Sequence, residues 1–394
     1  MQNQQQHNAL PRQNHDEQAL QDFAQSLKLH LATKVVQGNR DVYEARVRPD
    51  FERQHGRPPR DRREVAVGMR EQPYYQLWGA LQRTSQEICW NSVLESIERQ
   101  LPDLAKRAQA PAKPMGSLIL DEDIAQPAYL SALDIHCMPG GYATERMAED
   151  VSAGALYDRG VYIYAMGGFG ADSGVLGRTA INIFQQLFPD RAPGCRGEGA
   201  PLRILDLGCT IGHSTLPWAE AYGEADVHAI DVAAPVLRYG HARAEEMGVA
   251  VHFRQANAEA LPYEDDSFDL VISHILMHET STKAIRNIMS ECHRVLKPGG
   301  VTMHLDLSVY DGMDPFEAFM LDWDTRHNNE PFWTSYREMD PETLMTDAGF
   351  PADSAFSTRV SRTGVAGHVY SEKRDSGGRK NLQCIGAVKS RTTG

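Results

Sequence analysis

The sequence predicts an α/β fold, and three observations predict it. Arg203 to Leu207 is a short apolar run of strand type that leads into a glycine turn, Gly208 to Gly212, and then a helix from about His213. A second apolar run, Val227 to Val232, ends in Asp231, about 25 residues after Asp206. The helix between these two runs is the third observation, and strand, helix, strand is the unit of an open, mainly parallel sheet.

The first strand marks a site. Asp206 falls near its carboxyl end, where open parallel sheets bind ligands. The glycines let backbone approach a ligand closely, and the following helix turns its unpaired N–H groups toward the same point. A phosphate loop is excluded because no Gly-Lys-Ser/Thr ending is present, and the turn lacks the G-x-G-x-x-G spacing of dinucleotide binding.

The run Asp206-Leu207-Gly208-Cys209-Thr210-Ile211-Gly212 resembles motif I, D-x-G-x-G-x-G, of class I S-adenosylmethionine-dependent methyltransferases, with Thr210 at the middle glycine. Asp231 resembles the family's ribose-binding acid. Asn257-Ala258 stands where the family usually has Asp-Ala at the adenine amine, and Lys297-Pro298-Gly299-Gly300 resembles its turn before the fifth strand. The resemblance runs from about Ala200 to Phe350 and is to small-molecule cores of the type 11/25 kind. It implies a Rossmann-like seven-stranded mixed sheet, here with an extra helical N-terminal region, and S-adenosyl-L-methionine as cofactor. The cofactor residues it implies are Asp206, Gly208, Cys209, Gly212, Asp231, Val232, Asn257, Ala258 and His274. Tyr164 joins them as the aromatic residue that often precedes motif I, with Tyr157 and Tyr162 as alternatives.

Composition bounds the partners. The chain has 394 residues, 41% of them hydrophobic, enough for a sizeable core. Its net charge of -13 disfavours a nucleic-acid substrate. The one dense basic stretch, Arg57 to Arg63, is broken by prolines and Asp61 and reads as a solvated linker. The family's nucleic-acid amino methylases usually carry Asn/Asp-Pro-Pro-Tyr/Phe where this chain has Ser273-His274-Ile275-Leu276. No apolar run reaches the roughly 18 residues of a membrane span. The cysteines Cys89, Cys137, Cys195, Cys209, Cys292 and Cys384 form no C-x-x-C pair, which suggests reduced thiols in a cytoplasm. No metal-ligand spacing is present, so no metal is expected.

In chain order, residues 1–18 are Gln/Asn-rich and read as a disordered tail. Residues 19–110 read as a helical region, with a helix near Leu20 to Leu31, a loop over Arg48 to Arg63 and the strongest helix from Tyr74 to Arg107. This region is expected to cover the site or to pair two protomers. Residues 111–198 read as a segment covering cofactor and substrate, and include Asp134, His136, a Pro-Gly-Gly turn and Tyr142. Residues 199–394 read as the cofactor-binding domain, with an insertion at 309–339 and an antiparallel pair near HVYSEKR and NLQCIGAVK closing the sheet.

The acceptor site is expected where polar and aromatic groups gather without periodicity. His136 and Tyr142 are one such group, and Trp323, Arg326, His327, Trp333 and Tyr336 in the insertion are another. Arg326 is the expected partner of an acceptor carboxylate or phosphate. His278 and His274 follow the fourth strand of the resemblance and are the candidate bases, His278 for a hydroxyl or carbon acid. The function implied is methyl transfer to a small metabolite, with O, N, S or C as acceptor atom left open. Two alternatives are a natural-product enzyme that uses this fold for another reaction and a silent subunit that binds the cofactor and activates a partner.

Overall fold

The computed structural model describes residues 3–109, 111–191, 201–361 and 381–391. Its centre is one sheet of eight strands: β1 (Ser117–Ile119), β2 (Arg203–Leu207), β3 (Asp226–Asp231), β4 (His252–Gln255), β5 (Phe268–His274), β6 (Leu296–Leu307), β7 (Phe356–Ser361) and β8 (Asn381–Val388). The spatial order is β1-β4-β3-β2-β5-β6-β8-β7. The six strands β1 to β6 run parallel, while β8 is antiparallel to β6 and to β7.

The Rossmann-like expectation holds, with one strand more than the seven implied. The addition is β1, from the segment before motif I, which pairs in parallel with β4 at the sheet edge. The main-chain N–H groups of Met115 and Gly116 donate to the Glu245 carboxylate, and Ser117 Oγ lies 2.9 Å from His252 Nδ1. These bonds hold an edge strand too short to signal itself by periodicity. In the closing antiparallel pair, β8 is the NLQCIGAV stretch as expected, but its partner is Phe356–Ser361. HVYSEKR lies outside the described residues, as does Cys195.

Helices cover the sheet: Ser152–Tyr164, Val175–Leu187, Thr215–Ala221, Ala234–Glu246 and Thr282–Val295. The segment Arg48 to Arg63, expected as a loop, is largely helical. Arg48–His55 extends a helical run that begins at His15 and passes through π turns at Leu31–Val35 and Tyr43–Val47. Pro49 stands just after the second π turn, where regular i to i−4 bonding has already been interrupted. Gly56, at φ 68°, ends the run. Arg62–Met69 then starts from Asp61, whose side chain accepts from the N–H groups of Arg63 and Glu64.

The first residues also depart from expectation. Gln4 is buried, and its amide donates to Asp158 Oδ1 at 3.0 Å. The His7 ring lies 2.9 Å from Asp158 Oδ2, the Asn8 N–H donates to Glu246, and Ala9 and Leu10 are buried. A polar segment is thus docked by a buried carboxylate, an anchor that composition does not register. Its helix at His15–His30 carries a capping box between Asn14 and Glu17.

The N-terminal helices share clusters with the rest of the chain. On the 26-residue helix Pro73–Glu98, Trp90, Val93 and Ile97 pack with Leu156, Ile163 and Tyr239. Leu77 and Leu81 of the same helix are exposed, so only part of its expected apolar face is used. Tyr43, Val65 and Trp78 form a further cluster with Phe316, Phe319 and Trp323 of the insertion. The insertion begins as the helix Pro315–His327, whose N-cap Asp314 accepts from the N–H groups of Phe316 and Glu317.

Candidate active site

A cavity opens above the carboxyl ends of β2 and β5, where the strand order reverses. Reversal parts the two connections and leaves a crevice between them. Both ends of this cavity are built from named groups.

One end is largely main chain. Gly208 takes φ 67°, and a Cβ there would lie 2.6 Å from Leu276 Cδ1, so the turn requires glycine. Thr210, at the middle-glycine position of the resemblance, also takes a left-handed φ, 46°. Asp231 Oδ2 accepts from the Thr210 N–H and Oδ1 from the Ala233 N–H, both at 3.0 Å. Burial raises the Asp231 pKa to about 6, against the opposing pull of those two N–H groups. Asp206 Oδ2 accepts from Thr215 Oγ1 at 2.6 Å, and its Oδ1 stands 3.5 Å from His274 Nδ1. The Trp218 indole N–H donates to His274 Nε2, so one nitrogen of His274 is tied to this end while Nδ1 faces Asp206 without a hydrogen bond. Cys209, Val232, Asn257 and Ala258 line the same wall. Gly212 shapes the turn at φ 81° without lining the cavity.

The other end is made of side chains. His278 is buried, with Nδ1 2.7 Å from Asp306 Oδ1. His136 has the left-handed φ of 56°, and its carbonyl accepts from the Trp90 indole at 2.8 Å and the Gln86 amide at 3.0 Å. Its ring lies between two carboxylates, with Nε2 2.9 Å from Glu279 Oε1 and Nδ1 2.9 Å from Glu330 Oε1. Tyr142 donates its hydroxyl to Glu279, and the Asn328 amide donates to Glu330 Oε1. Burial opposes a charge on His136, but Glu330 and Glu279 outweigh it and raise its pKa well above the ordinary value. Burial likewise opposes a charge on His278 and is outweighed by Asp306.

Of the residues expected from sequence, His136, Tyr142, Tyr164, Tyr157, Trp333, His274 and His278 meet at the cavity. Tyr336 is buried behind it, its ring 6.5 Å from that of His278. Trp323 does not reach it, because its indole packs 5.8 Å from Trp78 against the N-terminal helices. Arg326 and His327 are exposed and off the cavity. Both stand in the last turn of their helix, where the helix dipole favours cations. No lysine or arginine lines the described cavity, so Arg326 has no replacement as an anion clamp there.

Sequence reasoning passed over Trp90, Tyr129, Glu279 and Asp306. Asp306 lies near the carboxyl end of β6, and the strand-end rule that singled out Asp206 and Asp231 reaches it too. Trp90 carried no such signal, since a tryptophan within a helical apolar pattern reads as core.

Fold and cavity together define a Rossmann-like α/β domain with a cavity at its switch point. Residues 204–300 match the family model described as a methyltransferase domain. A ubiquinone/menaquinone biosynthesis C-methyltransferase of Vibrio vulnificus is 38% identical over 119 residues, 29% of this chain and 44% of that protein. An uncharacterized protein of Haemophilus influenzae is 30% identical over 134 residues, 34% of this chain and 53% of that protein. The chain therefore spans about half the length of these curated relatives. Phosphoethanolamine N-methyltransferase 2 of Haemonchus contortus, solved in complex with S-adenosyl-L-methionine, is 18% identical with a TM-score of 0.38, covering 56% of this chain and 57% of that one. Over residues 204–300 the chain is therefore similar to methyltransferase domains. Among the described residues no helix is long and apolar enough to cross a membrane.

Proposed function

We propose that the protein binds S-adenosyl-L-methionine and transfers its methyl group to a small metabolite. One observation carries this reading: a single cavity is lined both by the glycine turn with Asp231 and by the buried His136 and His278 group. A carboxylate fixed by two N–H groups accepts the two hydroxyls of a ribose, which is the role assigned to Asp231. Asn257 would meet the adenine, and the turn from Gly208 would lie against the rest of the nucleoside. Bound there, S-adenosyl-L-methionine supplies an electrophilic methyl carbon on a sulfonium.

The residues of this chain have two further tasks. Positioning supplies most of the rate in a displacement of this kind, and the aromatic walls Trp90, Tyr157, Tyr164 and Trp333 hold a ring-sized acceptor and exclude water. Activation of the acceptor falls to the group around His278, Asp306, His136, Glu279 and Glu330. The absence of lysine and arginine from the described lining favours a neutral or cationic acceptor over a carboxylate or phosphate. In this reading the N-terminal helical region covers the site, because Trp90 forms part of the wall. Pairing of protomers through the same region is a separate proposal, and native mass measurement decides it.

The test uses methyl-labelled S-adenosyl-L-methionine. Calorimetry should give saturable binding of the cofactor and of S-adenosylhomocysteine, and incubation with fractionated metabolites should move the label into a small product. Cofactor bound but never consumed would favour the silent-subunit alternative, and turnover with the label left on the cofactor would favour another reaction.

A further inference from the structure

The described residues bring together His136, His278 and Glu330, with one ligand atom from each lying within 4.8 Å of the others. They come from the segment before motif I, the loop after β5 and the end of the insertion, so no local spacing announces them. His136 Nδ1 is 2.9 Å from Glu330 Oε1, and His278 Nε2 is 3.7 Å from Glu330 Oε2. Two ligand atoms about 2.1 Å from one ion at a tetrahedral angle lie roughly 3.4 Å apart. The two distances to the Glu330 oxygens lie either side of that value, and the two histidine nitrogens are within 4.8 Å of each other.

The outer nitrogens make the case specific. Histidines that bind metal ions almost always give their second ring nitrogen to a carboxylate or carbonyl, which fixes the tautomer and aims the other lone pair at the ion. Both histidines have this arrangement. His278 Nδ1 is held by Asp306, and His136 Nε2 by Glu279, which Tyr142 steadies in turn. The two remaining nitrogens converge on Glu330.

An independent observation concerns Glu330 itself. The residue is 1% exposed, and its Oε2 has no hydrogen-bond partner, although a buried carboxylate oxygen left unpaired is costly. Oxygen Oε2 is the one nearest His278 Nε2. The backbone is committed as well: His136 and Cys137 both take left-handed φ values, 56° and 59°, a strain that persists only where the surroundings enforce it.

We infer that His136, His278 and Glu330 form a binding site for a divalent transition-metal ion of the zinc class, with an open position facing the cavity. Two imidazoles and one carboxylate suit zinc, iron, cobalt and nickel better than calcium or magnesium. The ion supplies a fixed double charge where the described lining offers no lysine or arginine. Its role in catalysis rests on the methyltransferase reading. An acceptor hydroxyl on the open position loses its proton to solvent, and the new O–C bond forms as the S–C bond breaks, with no oxidant or reductant needed. His278 then serves as a ligand rather than as the free base suggested by sequence.

The experiment uses the full chain, stripped with a chelator, and reads metal binding apart from turnover. Equilibrium dialysis against Zn2+ should return about one ion per chain by elemental analysis, and Co2+ should give visible absorption bands of a site with nitrogen ligands. Glu330→Gln and His278→Gln should each weaken Co2+ binding at least tenfold. Glu279→Gln keeps all three ligands and should weaken it about 10–100-fold through loss of positioning. His252→Gln, at the Asp226 and His228 cluster on the far end of the sheet, should leave it unchanged. Thermal melts of each variant verify folding. Wild-type protein that takes up no stoichiometric ion, or a Co2+ spectrum unchanged in Glu330→Gln, overturns the site. Calorimetry with S-adenosyl-L-methionine on the stripped protein separates the two readings: cofactor binding without metal uptake sinks only this inference, and metal uptake without cofactor binding sinks only the methyltransferase reading.

Discussion

The two ends of the cavity are built in opposite ways. At the Gly208 end the wall is built on the glycine turn, and the main-chain N–H groups of Thr210 and Ala233 hold Asp231 by local bonds. At the His136 end nearly every contributor is a side chain, and the contributors come from Trp90, His136, Tyr142, His278, Asp306 and Glu330. A site made of backbone and near neighbours tolerates change around it. A site of buried charges drawn from distant segments has its stability and its chemistry in the same bonds.

That contrast predicts different costs on the two sides. The largest is expected for Glu330→Ala, which removes the carboxylate between two buried histidines. Breaking such a group costs about 3–5 kcal/mol, and denaturant unfolding of the metal-stripped protein should show it as a lowered midpoint. A loss below about 1 kcal/mol would mean that the His136 end is no more committed than the rest of the core.

Asp231→Ala should act on the cofactor instead. Cofactor affinity should fall by about 1.5–3 kcal/mol, the range for hydrogen bonds to a charged group, with a smaller change in stability. Unchanged affinity by calorimetry removes Asp231 from the ribose. The pH dependence sharpens the same point. With a pKa raised to about 6, Asp231 is ionised above that pH and accepts hydroxyl donors best there. Cofactor affinity should therefore be flat above pH 7 and fall by up to about tenfold per unit below 6; a fall beginning only near pH 4 would contradict the raised value.

Two smaller effects bound the comparison. Thr210→Gly relieves a left-handed residue and should stabilise the protein by up to about 1 kcal/mol, seen as a higher melting temperature. A loss of stability would mean that the bond from Thr210 Oγ1 to the Cys209 carbonyl outweighs the strain. Arg326→Ala should change stability by less than about 0.5 kcal/mol and leave turnover as it is, because the side chain is exposed and off the cavity. A raised acceptor KM would restore it to the site.

The sequence made the Gly208 end legible because every signal there is local. A strand, a turn that only certain φ values allow, and an acid at the end of the next strand each leave a mark within a few residues. Strands β2 and β3 followed from their apolar runs, and β4 to β6 from the resemblance of Val251 to Glu279 and Glu291 to Ser308 to the family's later strands. The His136 end left half-marks: His136, Tyr142 and Trp333 stood out as polar or aromatic residues in irregular stretches, but so did Trp323, Arg326 and His327. What separates the two sets is which side of the insertion faces the cavity and which faces Trp78, a tertiary fact with no period. Segment 3–14 escaped for a related reason, since its anchor is Asp158, some 150 residues away.

That anchoring also sets a schedule. Residues near the amino end are synthesised first, yet Gln4 and His7 meet Asp158 only after a separation of 154 and 151 residues, and Asn8 meets Glu246 after 238. At roughly 5–20 residues per second, the first of these partners emerges about 8–30 s after the segment that needs it. During that wait an apolar segment would invite association with other nascent chains, whereas a Gln/Asn-rich one stays hydrated and inert. The polar composition that reads as disorder is thus suited to a piece of chain that must remain unpaired until the rest of the molecule has been made.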